Sequence, residues 1–332
     1  MTVDGKVMVT GGAGYIGSHA VLALLDAGHE VVVVDNLVTG FAWAVDPRAT
    51  LVEMAVEDPR VREVIRDHSV RAIMHFAGSV VVPESVTDPL KYYRNNTAAS
   101  RSLIESAVLE GVPHFIFSST AATYGTPDKV PVAERDPTVP INPYGMSKLM
   151  TEAMLRDVAA AHPINYCALR YFNVAGADPQ GRSGQSTIGA THLIKIAVEA
   201  ATGKRGHVGV FGSDFPTRDG TGVRDYIHVS DLADAHVAAL GLLVERPEES
   251  RTLNCGYGRG FSVLEVLDAV DRVTNMTIER RFEGRRAGDP AELVADNRAI
   301  LSALPWRPRR DDLDGIVRDA LAWERKLAEM GK

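Results

Sequence analysis

Two side chains in the middle of the sequence have the types and spacing that proton transfer at an alcohol carbon requires. Tyr144 and Lys148 are four residues apart, so they share one face of a helix. A free tyrosine has a pKa of about 10, and a nearby positive charge lowers such a pKa by roughly 1–3 units. Tyr144 could then act as a general base near neutral pH. Taken alone, the pair is more often an exposed aromatic residue beside a solvated lysine.

A glycine-rich segment near the N-terminus predicts a dinucleotide site. Gly12–Gly17 reads G-x-G-x-x-G, follows an apolar run and opens a helical pattern. Glycine permits the tight turn and a close backbone approach to a pyrophosphate, which the helix N-terminus then attracts. Asp35 ends the next apolar run. Its carboxylate can accept hydrogen bonds from a ribose diol and would repel a 2′-phosphate, which favours NAD over NADP.

Hydroxyl groups at Ser118, Ser119 and Thr120 strengthen the catalytic interpretation. They follow the apolar run Phe115–Phe117, so we expect them at the carboxyl end of a parallel strand, where ligands bind in open α/β sheets. Together with the dinucleotide site and the tyrosine–lysine pair, they predict hydride transfer at a carbon that carries a hydroxyl group. Tyr144 would take the hydroxyl proton.

Composition excludes several other classes of protein. The 332 residues carry a net charge of −7, which argues against a general nucleic-acid binder. Only Cys167 and Cys255 are present, as expected for the reducing cytoplasm. We see no signal peptide, no bilayer-spanning apolar run and no histidine pair with metal-ligand spacing. The expectation is therefore a cytoplasmic protein with a small-molecule substrate and without a metal, a nucleic acid or a membrane partner.

Short apolar runs alternate with helical patterns through the first half of the chain, which predicts a doubly wound parallel α/β (Rossmann) sheet. The expected strands are Lys6–Thr10, Val31–Asp35, Ala72–Phe76, His114–Ser118 and Asn165–Leu169. The expected helices are Tyr15–Ala27, Pro59–His68, Pro89–Glu110 and Pro143–His162.

After about residue 172 this alternation ends, and a second, smaller α/β unit is expected. A helix over Ile188–Thr202 and a strand over Val208–Phe211 precede a glycine-rich loop that reaches Arg224. Later helices are expected at Ser230–Glu245, Ser262–Thr274 and Asp311–Glu329. We therefore predict a cofactor domain over 1–172, to which about 220–247 could also belong, and a substrate domain over 173–332.

These motifs resemble the extended short-chain dehydrogenase/reductase superfamily and, within it, the NAD-dependent nucleotide-sugar epimerases. The most specific segments are Arg170–Asn173 and Asp219–His228. The matching stretches span nearly the whole chain in order: Thr10–His19, Val34–Leu37, His75–Gly78, Pro89–Asn96, Phe115–Gly125, Asn142–Leu149, Arg170–Ala177, Gly220–Ala233 and Arg286–Asp289.

The resemblance implies a reaction and roles for three catalytic residues. UDP-glucose and UDP-galactose would interconvert by inversion at C4, through a 4-keto sugar, with tightly bound NAD. Tyr144 would take the 4-OH proton, Lys148 would lower the pKa of Tyr144 and hold the nicotinamide ribose, and Thr120 would hydrogen-bond the 4-oxygen. A homodimer through the helices of Pro89–Glu110 and Pro143–His162 is also implied.

The resemblance also implies the residues that contact each ligand. The cofactor-binding residues are Gly11, Gly12, Gly14, Tyr15, Ile16, Gly17, Asp35, Asn36, Val56, Phe76, Ala77, Gly78, Asn95, Ser118, Tyr144, Lys148, Tyr171 and Phe172. The substrate-binding residues are Thr120, Tyr144, Asn173, His192, Leu193, Gly209, Phe211, Arg224, Arg286 and Asp289.

Departures from the family pattern leave some properties open. Ala55 stands where an aspartate usually meets the adenine, and Val80 replaces a lysine near the phosphates of NAD, so weaker NAD binding is expected. Leu293 aligns with a position that gates N-acetylated sugars and is smaller than the tyrosine of enzymes restricted to plain hexoses.

Three other functions share parts of this sequence pattern. A 4,6-dehydratase would need an acidic pair directly after Thr120, where the chain has Ala121 and Ala122. A related epimerase that acts on UDP-glucuronate or UDP-N-acetylglucosamine stays open. A non-catalytic NAD-sensing regulator on the same fold would not need Thr120, Tyr144 and Lys148 together.

Overall fold

The computed structural model of the chain describes residues 3–286 and 288–332, and it contains both β-strands and helices. In chain order the strands are β1 (Lys6–Thr10), β2 (Val31–Asp35), β3 (Thr50–Glu53), β4 (Val70–His75), β5 (His114–Thr120), β6 (Asn165–Tyr171), β7 (Asn173–Ala175), β8 (Val208–Phe211), β9 (Val223–His228), β10 (Arg251–Cys255), β11 (Gly260–Ser262), β12 (Arg280–Glu283) and β13 (Glu292–Leu293).

The helices alternate with the strands over the first half of the chain. They are α1 (Tyr15–Asp26), α2 (Val61–Asp67), α3 (Val82–Thr87), α4 (Pro89–Tyr92), α5 (Ala99–Leu109), α6 (Pro143–Ala161), α7 (Leu193–Ala201), α8 (Val229–Glu245), α9 (Val263–Thr274), α10 (Arg298–Ala303) and α11 (Leu313–Glu329). Within the described ranges no helix is long and apolar enough to cross a membrane.

A parallel sheet forms the centre of the molecule, in the strand order β10-β6-β5-β4-β1-β2-β3. Val31–Asp35 is buried at every position, because helices cover both faces of the sheet and leave no side of the strand in water. Helices α1 and α8 pack on one face, and α2, α5 and α6 pack on the other. The predicted doubly wound α/β fold is confirmed.

The second group of elements is built around β9. This strand pairs with β7, β11 and β13, while β8 and β12 form a separate parallel pair. Helices α7, α9 and α11 bury their apolar faces together with Val208, Val210 and Tyr226. Because β7 begins two residues after β6 ends, the chain passes from the central sheet into this second group at Phe172.

Several predicted elements differ from the observed ones. The predicted helix Pro89–Glu110 contains a π-helical turn at Tyr93–Ala98 between α4 and α5, which apolar periodicity does not reveal. The loop expected before Arg224 ends in β9, and Arg251–Cys255 is a strand that we did not predict. Both strands contain charged or polar residues and lack the continuous apolar run by which the central strands were recognised.

The division of the chain stays a proposal, with additions from the second half. Helix α8 packs on α1, and β10 pairs with β6 at the edge of the central sheet. Ile300 and Trp306 also join the core on that face. We propose a cofactor domain over residues 1–172 to which α8, β10 and α10 are added, and a substrate domain from the remaining elements after 172.

Two leucines on α5 offer a matched test of this core. Leu103 is fully buried, whereas Leu109 on the same helix is 58% exposed. We expect Leu103→Ala to lower the free energy of unfolding by about 2–5 kcal/mol, because it leaves a cavity. Leu109→Ala should stay within roughly 0.5 kcal/mol of the parent. Urea unfolding measures both variants, and equal losses would contradict the packing described here.

Candidate active site

The start of α6 places the tyrosine–lysine pair. The Asn142 side chain accepts a hydrogen bond from the Gly145 backbone N–H at 2.9 Å, and Pro143 occupies the first helical turn. Both features favour a fixed helix start. Tyr144 and Lys148 then lie on the inner face of α6 and are only 7% and 3% exposed.

The Tyr144 phenol lies in a nearly dry environment. Burial raises its pKa above the usual value, and a hydrogen bond with the Thr120 side chain offsets part of that rise. The edge of the Tyr92 ring meets Tyr144 at 87°, with 6.4 Å between ring centroids. The expectation that Lys148 lowers this pKa is therefore not met in the protein alone, because desolvation of the phenolate dominates.

Lys148 is a buried cation with few partners. Its ammonium group donates a hydrogen bond to the Ser118 carbonyl at 3.0 Å and lies 4.9 Å from the Phe117 ring centroid. Burial lowers its pKa to about 8. An ammonium group has three N–H donors, and within the described part of the chain we find one protein acceptor for them. The donors that remain fit the hydroxyl groups of a ribose.

Hydroxyl groups collect at the carboxyl ends of β5 and β6. The Thr120 hydroxyl oxygen accepts a hydrogen bond from the Ala122 backbone N–H at 3.1 Å, so its own proton is available to another oxygen. The Ser118 and Tyr171 hydroxyl oxygens are 2.7 Å apart. The structure thus brings Thr120, Tyr144, Lys148 and Ser118 together, at the edge of the sheet where ligands bind in this fold.

A buried ion pair that sequence analysis missed lies behind these groups. The Arg170 guanidinium donates to both carboxylate oxygens of Glu152, at 2.9 and 2.6 Å, and the Ser119 hydroxyl donates to the same carboxylate at 2.5 Å. Arg170 also donates to the Tyr124 hydroxyl at 2.9 Å. Helical spacing could have revealed Glu152, because it follows Lys148 by four residues on the same face of α6.

Close packing explains the glycines of the turn before α1. A Cβ on Gly17 would lie 2.1 Å from the Gly11 carbonyl oxygen, and one on Gly12 would lie 2.7 Å from Val33. Gly11 itself has a φ of +70°, which side chains disfavour. Gly14 precedes α1, whose first residues are Tyr15 and Ile16. The turn therefore presents bare backbone N–H groups at the helix N-terminus, which suits a phosphate.

Asp35 connects this turn to the end of β2. Its carboxylate accepts hydrogen bonds from the backbone N–H groups of Ala13 and Leu37, both at 2.9 Å. The residue is only 6% exposed, yet each carboxylate oxygen has a second lone pair. A buried carboxylate beside the phosphate turn and the buried cation of Lys148 together fit the ribose, pyrophosphate and nicotinamide ends of NAD.

The segment after β4 approaches Lys148. Gly78 has a φ of +154°, and a Cβ there would lie 2.8 Å from the Asn96 amide oxygen and 3.8 Å from the Lys148 ammonium. Asn96 is buried, and Asn95 donates to the Ser79 hydroxyl at 3.0 Å. This close approach needs glycine at position 78, and it places the π-helical turn next to the cofactor residues.

The remaining predicted cofactor residues surround these groups in different environments. The Tyr15 hydroxyl donates to the Gly176 carbonyl at 2.7 Å, and the Asn36 amide oxygen accepts from the Val38 backbone N–H at 3.2 Å. The rest are buried or partly buried in the cores beside the sheet: Ile16, Val56, Phe76, Ala77, Tyr171 and Phe172. Cofactor contacts for these residues stay predictions.

Two arginines provide positive charge on the substrate side. Arg224 donates to the Val223 carbonyl at 2.8 Å and lies 3.9 Å from an Asp289 carboxylate oxygen, while burial lowers its pKa. The Arg286 guanidinium lies 3.5 Å from the centroid of the Phe211 ring. A planar guanidinium can bind a pyrophosphate bidentately, so both arginines suit a diphosphate.

Strand register connects this side to the catalytic residues. Asn173 of β7 pairs with Tyr226 of β9, and Leu293 of β13 pairs with Arg224 of β9. Leu293 also packs in one apolar cluster with Phe172 and with Ala121, the neighbour of Thr120. Strand β9 thus carries Arg224 of the expected diphosphate site and pairs with the strand that carries Asn173 of the expected sugar site.

The other predicted substrate residues lie on β8 and at the start of α7. A Cβ on Gly209 would lie 3.0 Å from the Phe211 ring, so a side chain there would be tightly packed. A His192 ring nitrogen lies 2.8 Å from the Gln185 amide nitrogen, and Leu193 opens α7. In the described ranges no group of three His, Cys, Asp or Glu residues is placed to hold a metal ion.

Comparison with known families identifies the group to which this site belongs. The family model of the NAD dependent epimerase/dehydratase family matches residues 7–256. The chain belongs to this family. The resemblance drawn from its motifs is confirmed, and so is the dependence on NAD.

Relatives within this epimerase/dehydratase family are similar along nearly their whole length. A UDP-glucose 4-epimerase from Azospirillum brasilense is 55% identical over 325 residues, which cover 98% of this chain and 93% of that protein. The crystal structure of a UDP-glucose-4-epimerase from Stenotrophomonas maltophila, with bound NAD and formylated UDP-arabinopyranose, is 40% identical. It has a TM-score of 0.95 and covers 98% of this chain and 99% of that one.

A third relative is named for two sugars, one of which is N-acetylated. The structure of a UDP-Glc/GlcNAc 4-epimerase from Campylobacter jejuni is 46% identical, with a TM-score of 0.84. The match covers 97% of this chain and 99% of that one.

The lowered pKa of Lys148 predicts a pH effect on stability. Between about pH 8 and pH 10.4, the unfolded chain keeps a proton that folded Lys148 has released. The free energy of unfolding should therefore rise with pH in this window, by on the order of 3 kcal/mol relative to Lys148→Met. Urea unfolding of both proteins without bound nucleotide measures the difference, and parallel pH curves would contradict the burial of the ammonium.

Proposed function

We propose that this chain interconverts UDP-glucose and UDP-galactose by inverting C4 of the hexose with bound NAD. The observation that carries the proposal is the grouping of Thr120, Tyr144 and Lys148 at the edge of a dinucleotide-binding sheet. The names of relatives up to 55% identical over nearly the full chain support the same reaction. A non-catalytic regulator would not require these three groups together.

Tyr144 transfers the proton in this reaction. Its phenolic oxygen takes the proton of the 4-hydroxyl group, while the Thr120 hydroxyl donates a hydrogen bond to the sugar oxygen. When bound, NAD supplies the acceptor for the C4 hydride and afterwards its source. The Lys148 ammonium holds the ribose and stabilises the phenolate against the burial that raises its pKa. In the second half of the reaction, Tyr144 returns the proton to the 4-oxygen.

Inversion requires that the 4-keto sugar turn over while its nucleotide stays bound. Arg224 and Arg286 would hold the diphosphate, and the Phe211 ring beneath Arg286 fixes one of these guanidinium groups. Asp289 would contact the ribose of the nucleotide, and Asn173 would add a polar contact near the sugar. Strong contacts to UDP and few contacts to the hexose allow the rotation.

The environment of Thr120 supports this reaction over dehydration. A 4,6-dehydratase needs an acid and a base directly after this residue to move protons at C5 and C6. Ala121 and Ala122 offer neither, and Ala121 is packed in the cluster with Phe172 and Leu293. The chemistry of the site is therefore limited to C4.

Turnover of UDP-N-acetylglucosamine is a second candidate activity. Leu293 stands at the position where the family resemblance puts the gate for N-acetyl groups, and it packs with Phe172. Leucine leaves more room than tyrosine. The relative from Campylobacter jejuni, named a UDP-Glc/GlcNAc 4-epimerase, adds support. UDP-glucuronate has no such observation in its favour.

We also propose the homodimer through the helices of Pro89–Glu110 and Pro143–His162, to which we add the neighbouring α3. Apolar side chains are exposed there, with Val86 at 53%, Leu90 at 77% and Met150 at 40%. Exposed apolar groups on neighbouring helices favour association.

The state of the cysteines bears on the location of the protein. Cys167 and Cys255 are both free thiols and both buried, which supports a location in the reducing cytoplasm.

Removal of the Tyr144 hydroxyl tests the proposed reaction. We expect Tyr144→Phe to lower turnover of UDP-galactose by roughly 10²–10⁴-fold, because the general base is lost, while NAD stays bound. A coupled assay that detects UDP-glucose measures turnover, with and without added NAD. Tyr166→Phe on β6 is the matched control and should stay near the parent. An active Tyr144→Phe variant, or a parent that turns over no UDP-hexose, would overturn the proposal.

A larger residue at position 293 tests the second activity. We expect Leu293→Tyr to lower kcat/KM for UDP-N-acetylglucosamine at least tenfold more than for UDP-galactose, since the added ring occupies the space of the N-acetyl group. Leu293→Cys should keep or raise activity on the N-acetylated sugar. Parallel changes for both substrates would show that Leu293 does not distinguish them.

A further inference from the structure

Two loops from distant parts of the chain meet above the phosphate-binding turn. They enclose a small cavity whose floor includes Gly14 and Tyr15, at the start of α1. Phe41 and Ala44, from the loop after β2, form one side of its roof, and Ser186 from the loop after β7 forms the other. The N-terminus of α1, where a pyrophosphate binds in this fold, is thus covered.

An aromatic stack joins the two sides of this roof. The rings of Phe41 and Trp43 stack with 5.2 Å between centroids, and Trp43 stacks on Trp323 of α11 with 6.4 Å between centroids and 24° between planes. The Trp323 indole N–H donates to the Ser186 hydroxyl at 3.1 Å. We name Phe41, Trp43 and Trp323 the aromatic clasp.

The second loop fits tightly beneath Trp323. A Cβ on Gly184 would lie only 2.3 Å from the indole ring, so the backbone of this loop lies directly against it. The same loop is attached to α1, because the Ser183 and Ser18 hydroxyl oxygens are 2.7 Å apart. Arg182 adds an ion pair with Asp26 at 2.8 Å. The two loops therefore border the cavity above the turn from both sides.

We propose that the aromatic clasp keeps NAD bound from one turnover to the next. The inference rests on the proposed function, in which the hydride returns to the sugar and the cofactor is regenerated in place. Such an enzyme does not need to release its cofactor in each cycle, so a roof that stays closed does not slow turnover. The clasp offsets the contacts missing at Ala55 and Val80, where the family resemblance led us to expect weaker binding.

Trp43 is the position at which the clasp can be weakened without disturbing the core. It is 36% exposed, whereas Trp323 is only 3% exposed. We expect Trp43→Ala to speed NAD dissociation roughly three- to tenfold, since Trp43 loses its stacking on Trp323, the pair that joins the two sides of the roof. The measurement is the exchange of radiolabelled NAD on the intact protein against excess unlabelled NAD. Trp43→Phe, which keeps a stacked ring, should restore slow exchange.

A second variant separates the clasp from general damage. Trp323→Phe keeps the ring and removes the hydrogen bond to Ser186, so it should also speed exchange. In the double variant Trp43→Ala/Trp323→Phe, the increase should be smaller than the product of the single effects, because both changes act on one stack. Arg325→Ala is the control, since Arg325 is exposed on the same helix and should exchange NAD at the parental rate.

The outcomes distinguish the clasp from the function on which it rests. Faster exchange in Trp43→Ala with kcat unchanged at saturating NAD supports the proposal. Parental exchange in Trp43→Ala, or effects in the two single variants that simply multiply, overturns the clasp while the epimerase assignment stands. A parent protein that binds no NAD at all overturns both.

Discussion

Lys148 holds a positive charge where water does not reach it, and the catalytic end of the sheet is arranged around that constraint. The ammonium group has the Ser118 carbonyl and the Phe117 ring as neighbours, which is little compensation for the lost hydration. This cost of desolvation lowers the pKa of Lys148. A site that keeps a cation in this state is prepared for ligand oxygens, because the donors that the protein leaves unused are those a ribose diol can satisfy. The same burial raises the pKa of Tyr144, so burial disfavours the charged form of both members of the pair.

The ion pair of Glu152 and Arg170 gives this site its rigidity. It joins α6 to β6, and the Ser119 hydroxyl attaches the end of β5 to the same carboxylate. Thr120 and Lys148 therefore belong to elements whose relative positions are set by one buried network. Such a network is costly to desolvate and favours a single geometry when every group has a partner. Catalysis by proton transfer needs that geometry, since the acceptor must stay within hydrogen-bond reach of the substrate hydroxyl.

Local patterns were sufficient to predict the glycine turn, Asp35 and the pair of Tyr144 and Lys148, because each depends on spacing within one strand–helix unit. Groups that meet across the fold were not predictable in this way. The strand Arg251–Cys255 lacks the continuous apolar run that marks the central strands, and its place beside β6 depends on topology. Burial raises the pKa of Tyr144. An argument from helical spacing and charge alone does not include burial. The stacking of Trp43 on Trp323 joins the loop after β2 to α11, and these two segments are 280 residues apart in the sequence.

The placement of β10 has a consequence for biosynthesis. The strand that covers the edge of β6 is Arg251–Cys255, and residues 172–250 are made between the two. At about 5–20 residues per second, the ribosome needs on the order of 10 s to supply them. During that interval the backbone groups of Asn165–Tyr171 form an open edge that other chains could pair with. The nascent protein therefore passes through an aggregation-sensitive period, and chaperones that cover strand edges would matter most before residue 255 emerges.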